Sequence, residues 1–204
     1  MPGRRVVSLL DDPAPTWSSW DDLERDALGC TKCALAPGRT QVVFGFGDRS
    51  ADLVFVGEGP GAEEDRQGVP FVGRSGALLT RLIEGIGMER DDVYIANVVK
   101  CRPPGNRDPL PGEITSCRPY LEAQLNLLEP TVIVTLGNFA TRLLLDTKEG
   151  ITKLRGREFP ARGGTAVLLP TLHPAAVLRG GGPSLAQARA DFVVVKRALA
   201  RARS

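Results

Sequence analysis

The fold is decided by the run Leu53-Val54-Phe55-Val56-Gly57-Glu58-Gly59-Pro60-Gly61-Ala62-Glu63-Glu64-Asp65-Arg66-Gln67-Gly68-Val69-Pro70-Phe71-Val72-Gly73. Its first four residues are apolar and β-branched enough for a strand buried on both faces of a parallel sheet. Downstream, Leu78, Leu79, Leu82, Ile83 and Ile86 recur at helical spacing, with Ser75 placed to cap that helix. Residues 57–73 therefore read as a long loop leaving the C-terminal end of a strand, and ordered loops of that length usually serve a function. Five glycines and two prolines fix its path. Glycine lets backbone approach a ligand, while Glu58 and Phe71 bring a carboxylate and an aromatic face into the same turn.

A phosphate-binding reading fits this loop poorly. Nucleotide loops use G-x-G-x-x-G or a Gly-Lys-Ser P-loop, whereas this one is G-x-G-x-G followed by Glu63, Glu64 and Asp65, which would repel a pyrophosphate. A tight turn without chemistry is the bland alternative, and the rest of the chain decides against it.

The 204-residue chain is 42% apolar and 25% charged, which suits one globular domain with a substantial core. We expect residues 1–16 to be a flexible N-terminal arm and residues 17–204 to form that single domain. A formal charge of +2 and an isoelectric point near 8.4 permit nucleic-acid binding without requiring it. The apolar stretch Val6–Leu10 is too short for a membrane span or a signal peptide, so a cytoplasmic monomer with no membrane association is expected.

The cysteines are Cys30, Cys33, Cys101 and Cys117. Cys30-Thr31-Lys32-Cys33 follows a helix expected over about Trp17 to Leu28 and leads into the turn Ala36-Pro37-Gly38-Arg39. A thioredoxin motif instead opens a helix after a strand. In a cytosolic chain such a pair is more often a metal or redox site than a disulfide. Cys101 and Cys117 lie too far apart for a zinc knuckle, and dispersed thiolates suit an iron–sulfur cubane better. Zinc stays open on spacing alone. So does a plain core role for Cys117, which belongs to the apolar row Ile114, Cys117, Leu121, Leu125 and Leu128.

Further strands are expected at residues 93–96, 132–136 and 166–169, with helices at about 111–128 (kinked at Pro119), 140–145 and 184–202. Residues 153–159 read as a turn or hairpin. Four strands alternating with helices give an α/β fold: a three-layer α/β/α sandwich with a central, mostly parallel four-stranded sheet. Ligands bind such sheets beyond the carboxyl ends of the strands. Glu58, Asn97, Asn138 and His173 each follow a strand end, so they and Phe71 are expected to line one crevice. A carboxylate to place or deprotonate water, a donor for a leaving anion, an orienting amide and an aromatic face suit cleavage of an N-glycosidic bond to a nucleobase. Two other classes compete: a non-catalytic, metal-containing nucleic-acid-binding protein, and a hydrolase of free nucleosides.

Gly57-Glu58-Gly59-Pro60-Gly61, Glu64-Asp65-Arg66-Gln67-Gly68, Pro70-Phe71-Val72-Gly73, Tyr94-Ile95-Ala96-Asn97-Val98-Val99-Lys100-Cys101-Arg102-Pro103-Pro104 and Leu172-His173-Pro174-Ala175 together resemble a family 4 uracil-DNA glycosylase, the iron–sulfur type. The resemblance runs in order over about residues 27–200. It implies a [4Fe–4S] cluster on Cys30, Cys33, Cys101 and Cys117. It implies base excision repair: removal of uracil from single- and double-stranded DNA by a monofunctional hydrolase that leaves an abasic site, working at the nucleoid of a bacterium or archaeon. By the same resemblance Phe71 stacks on the extruded base and Asn97 reads uracil N3–H and O4. Gly59, Pro60 and Gly61 form the rim, and Asp65 orients the loop or the water. His173 donates to O2 of the leaving base, and Glu58 positions the water and opposes the cationic sugar. Leu178 and Arg179 are candidates for a wedge and a phosphate contact. Lys100, Arg102, Arg107, Lys153, Arg155 and Arg157 are candidates for further contacts to the DNA backbone. Family members often carry alanine at the position of Gly59, so a looser rim is expected here. A related branch captures uracil sites covalently through a histidine in an inserted loop, and residues 102–111 contain none.

Overall fold

Six strands form one sheet in the order β1-β3-β2-β4-β6-β5. They are β1 (Phe46–Gly47), β2 (Leu53–Gly57), β3 (Tyr94–Asn97), β4 (Val132–Leu136), β5 (Phe159–Ala161) and β6 (Ala166–Thr171). The computed structural model describes residues 17–203, and the arm expected at residues 1–16 lies outside them. The four central strands β3, β2, β4 and β6 are mutually parallel, while β1 and β5 close the two edges antiparallel. The four-stranded expectation thus becomes a six-stranded sheet. Both edge strands are too short for a periodic signal, and Pro160 within β5 is tolerated only because an edge strand has unpaired positions.

Burial on both faces explains why the central strands read as continuous apolar runs: every residue of β2, β3 and β4 is buried. Alternate side chains feed two separate cores. Val54, Val56, Ala96, Ile133 and Leu168 pack with helices α1 (Trp20–Leu28), α4 (Pro111–Leu128) and α5 (Gly137–Leu144). Leu53, Phe55, Ile95, Val134 and Leu169 pack with α3 (Gly73–Glu84) and α7 (Pro174–Ala202), where Phe55 stacks on Phe192 with ring centroids 5.6 Å apart. Each of these side chains larger than alanine contributes about 1.5–3 kcal/mol of transfer free energy. Among the described residues no helix is long and apolar enough to cross a membrane.

The loop at residues 57–73 is more structured than its sequence suggests. Ala62–Gln67 forms a short helix, α2, ended by Gly68 in the left-handed region at φ 74°. Ser75 is not a cap: α3 begins two residues earlier at Gly73, after Val72. The first helix is shorter than expected, since Ser19 caps it by accepting from Asp22 N at 3.2 Å. The last helix starts at Pro174, ten residues before the expected start, and is broken at Gly181 (φ 64°, ψ −149°), which hid its first half from periodicity. The stretch read as a turn or hairpin holds a one-turn helix, α6 (Ile151–Leu154), and then β5.

Candidate active site

The ends of β2, β3 and β6 open onto one cleft of about 470 Å³. Glu58, Gly59, Pro60, Gly61, Phe71, Asn97, His173 and Arg179 all line it. A contiguous cavity of about 770 Å³ shares Glu58, His173 and Arg179 and adds Asn138 and Arg142. The sheet order therefore brings together the residues that strand ends predicted, although β2, β3 and β6 are not consecutive in sequence.

Asn97 ends β3 directly beside Gly57, its parallel partner in register. It is 1% exposed, and its Oδ1 is buried with no hydrogen-bond partner among the described residues. Leaving such an acceptor unmet costs about 1–3 kcal/mol, so the position is held for something other than stability. Phe71 adopts φ 51°, a left-handed conformation that a bulky residue takes only under constraint. Its carbonyl packs on Gly76 of α3, where a Cβ would fall 1.7 Å from Phe71 O. Its ring lies 5.6 Å from that of His173 at 36°.

His173 caps α7, with Nδ1 accepting from Ala175 N at 3.1 Å. The neutral ring then carries its proton on Nε2. Burial, with a smaller contribution from the Arg179 charge, pushes its pKa down to about 4. The histidine is a neutral donor at physiological pH. Glu58 is half-buried, and burial followed by the charge of Asp108 raises its carboxyl above the ordinary glutamate range.

Several expected roles change. Asp65 lies outside the cleft: it is buried, and both its carboxylate oxygens accept from Thr40 N at 2.9 and 3.1 Å. That serves loop orientation, and its place outside both cavities keeps it from the attacking water. Gly61 N donates to Glu64 Oε2 at 3.1 Å, so this amide of the rim is already engaged. The rim is not loosened at Gly59, where a Cβ would meet Val99 Cγ2 at 2.7 Å: the valine fills that space. Asn138 reaches the larger cavity, but its Oδ1 accepts from Ile151 N at 2.8 Å and starts α6. Leu178 is 37% exposed and lines a separate apolar groove beyond Arg179.

Lys100 cannot reach DNA. It is 2% exposed, and its Nζ donates to Asn97 O at 3.0 Å and to Gln124 Oε1. Arg107 is forked onto Glu113 at 2.9 and 2.7 Å and Arg155 onto Asp191 at 3.1 and 2.7 Å, while Arg102 Nε donates to Asn106 Oδ1 at 2.8 Å. Arg157 lies over the Phe159 ring. Sequence reasoning missed Asp108, Glu64, Ser75 and Arg142, which line the two cavities from α2, α3, α5 and the β3–α4 connection. The strand-end rule reaches only the first residues after a strand, and all four lie at least six residues beyond one.

A second pocket, away from the cleft, is lined by Cys30, Cys33, Cys101 and Cys117 together with Arg39, Lys100 and Tyr120. Lys100 N donates to Cys117 Sγ at 3.2 Å, and Arg39 Nη1 donates to Cys101 Sγ at 3.5 Å and to Cys30 O at 2.6 Å. Burial raises the Cys117 thiol to about 11 and lifts Cys101 as well.

Comparison with known proteins gives this geometry a family. The model of the uracil DNA glycosylase superfamily matches residues 44–195. A type-4 uracil-DNA glycosylase of Thermotoga maritima is 52% identical over 151 residues, 74% of this chain and 78% of that protein. Type-4 enzymes of Archaeoglobus fulgidus and Saccharolobus solfataricus are 44% and 45% identical, covering 78% and 83% of this chain and 83% and 82% of their own lengths. Matches of this extent, over the strands that build the cleft, mean that the chain belongs to the uracil-DNA glycosylase superfamily and groups with its type-4 members.

Proposed function

We propose that this protein removes uracil from DNA by hydrolysing the N-glycosidic bond, leaving an abasic site for base excision repair. The observation that carries the reading is the orphaned Oδ1 of Asn97 at the floor of the cleft. Uracil offers N3–H to that oxygen and O4 to the amide nitrogen, and cytosine presents the reverse pattern, so a fixed amide rejects it. The target base has to leave the stack to reach this depth. Phe71 then supplies the stacking face.

The bond breaks toward a uracil anion and an oxocarbenium-like sugar. His173, neutral and protonated on Nε2, donates to O2 of the anion without first having to lose a proton. Glu58 opposes the sugar's positive charge and positions the attacking water, and its raised pKa makes it a stronger base than an ordinary glutamate. Among the described residues lining both cavities there is no lysine to form a Schiff base, which supports a monofunctional hydrolase. Arg179 and Arg142 supply positive charge for flanking phosphates and Leu178 an apolar wedge. We read the protein as a single catalytic domain over residues 17–204, acting as a monomer on single- and double-stranded DNA in the cytoplasm, at the nucleoid.

Cys30, Cys33, Cys101 and Cys117 are the residues that would hold a [4Fe–4S] cluster. Their convergence on one pocket and the two N–H donors aimed at sulfur suit thiolate ligands. When bound, the cluster would supply a covalent staple between the end of α1, the connection after β3, and α4.

Incubation of purified protein with uracil-bearing single- and double-stranded oligonucleotides, and with free deoxyuridine, tests the function. Alkali-labile abasic sites in the oligonucleotides are the expected product. Cleavage of deoxyuridine alone would favour a nucleoside hydrolase, and DNA binding without uracil release would favour a non-catalytic binder.

A further inference from the structure

A second carboxylate lines the cleft together with Glu58. Asp108 sits in the connection between β3 and α4 and lines both cavities that Glu58 lines. Its backbone is clamped: Arg107 donates to both oxygens of Glu113 and to Asp108 O at 3.0 Å, and Leu110 N donates to Glu113 Oε2 at 2.8 Å. Pro109 on one side is buried. The Asp108 carboxylate itself accepts no hydrogen bond and forms no ion pair with the described residues, so its charge is left to act on the cleft.

Among the described residues, the other acidic group of the cleft is committed to backbone donors, and the remaining charged groups are basic. Glu64 on α2 accepts from Gly61 N and Val72 N, and Arg107 is held by Glu113. His173 is uncharged, while Arg179 on α7 lines both cavities and Arg142 on α5 the larger one as cations. Burial first, and then the negative charge of Asp108, holds the Glu58 carboxyl above the ordinary glutamate range.

We propose that Asp108 is an electrostatic partner of Glu58 in uracil excision, a positioning residue that speeds the chemical step while weakening DNA binding. The inference rests on the functional reading above. Two effects follow from one charge. Asp108 disfavours the Glu58 carboxylate on its own, which makes Glu58 more basic, and it adds negative potential where cationic charge appears on the sugar only in the transition state. The DNA phosphates carry their charge throughout, so Asp108 repels them in the ground state as well. Asp108 is exposed in the free protein, and DNA covering the cleft excludes the water that screens it.

The test compares wild type, Asp108→Asn and Asp108→Glu. Single-turnover excision from a uracil oligonucleotide is followed across pH, and affinity is measured with an oligonucleotide carrying a non-cleavable 2′-fluoro deoxyuridine. Asp108→Asn is expected to slow the saturated step by roughly three- to tenfold, the scale of one charge acting across a partly wet cleft. It should move the acid limb of the rate profile to lower pH and tighten DNA binding severalfold, with that gain shrinking as salt rises. Asp108→Glu should restore both. An unchanged rate and acid limb in an active protein overturns this inference alone. So does a slower Asp108→Asn that binds DNA more weakly, which would mark the residue as loop scaffolding. A wild type that excises no uracil overturns the functional reading, and this inference with it.

Discussion

Gly57→Ala puts the proposed base pocket under the most direct strain. A Cβ at residue 57 would stand 2.4 Å from Asn97 Oδ1 and 2.6 and 2.7 Å from Cζ and Cε2 of Phe71, where ordinary contact begins at 3.4 Å. The amide and the ring must therefore each retreat by about 1 Å. Neither can do so freely. Asn97 is pinned in register with residue 57 and its carbonyl is held by Lys100, while the Phe71 backbone is trapped at φ 51° against Gly76. Overpacking of this kind costs about 1–3 kcal/mol, which a sheet buried on both faces can absorb without unfolding. The catalytic loss should be larger, because a displacement of about 1 Å in a positioning group costs on the order of a hundredfold in rate. Thermal unfolding and single-turnover excision on the same preparation separate the two. A Gly57→Ala protein that melts a few degrees lower yet excises uracil within about twofold of wild type would refute the claim that Asn97 and Phe71 jointly hold the base.

The remaining expectations concern the same cleft and the cysteine pocket. Glu58→Gln and His173→Ala should each slow saturated single-turnover excision by about a hundredfold or more with DNA affinity nearly kept, since both act on charge that develops in the transition state; near wild-type rates at saturation would sink the assignment. Cys30→Ala should yield colourless protein with a lowered melting temperature where wild type purified without air is brown, and stoichiometric zinc in a colourless wild type would rule the cluster out. His173 also predicts an acid-lability slope. Its folded pKa of about 4 lies below the ordinary value of 6.5, so between those values the unfolded chain binds the extra proton and stability falls as pH drops from 6.5 toward 4. His173→Asn should flatten that part of a denaturation-versus-pH curve, and an unaltered slope would contradict the buried neutral state.

What the sequence disclosed depended on rules with a short reach. Glu58, Asn97 and His173 follow apolar runs that read as strands, and in a parallel sheet the strand ends face one way, so their meeting was legible before any coordinates. The two edge strands were not, because two or three residues carry no periodicity. Asp108 escaped because it stands in an irregular, proline-rich connection where neither periodicity nor the strand-end rule applies. Lys100 was misread for the opposite reason. Lysine is rarely buried, and the exception is tolerable because Nζ donates to Asn97 O and to Gln124, twenty-four residues away in sequence. Asp65 and Asn138 have the right chemistry near the right place, but backbone N–H groups of Thr40 and Ile151 claim their oxygens first. Such competition is invisible in a list of residue types.

The segment after β3 ties the two pockets into one mechanical unit. Val98 N and Val99 N donate to Gly57 O and Glu58 O at 2.9 and 3.1 Å, so the chain that carries Asn97 also fixes the backbone of Glu58. One residue further, Lys100 turns its amide to Cys117 Sγ and its side chain back to Asn97 O. Gln124, which receives that lysine, donates in turn to Phe44 O at 2.9 Å and Tyr94 Oη at 3.0 Å, closing a buried polar network under the strand. Cys101 comes next, and the connection bearing Asp108 begins there. Between the Asn97 amide, its Oδ1 unpartnered among the described residues, and the Cys101 thiol that lines the cysteine pocket there are only three intervening residues, all buried. A buried network of this kind holds one arrangement while fully satisfied and becomes costly when a member is lost. Loss of the proposed cluster is therefore expected to loosen Asn97, Glu58 and Asp108 together rather than a remote surface loop. On that proposal a pocket that supplies no group to the cleft still bears on the placement of Asn97 and Glu58.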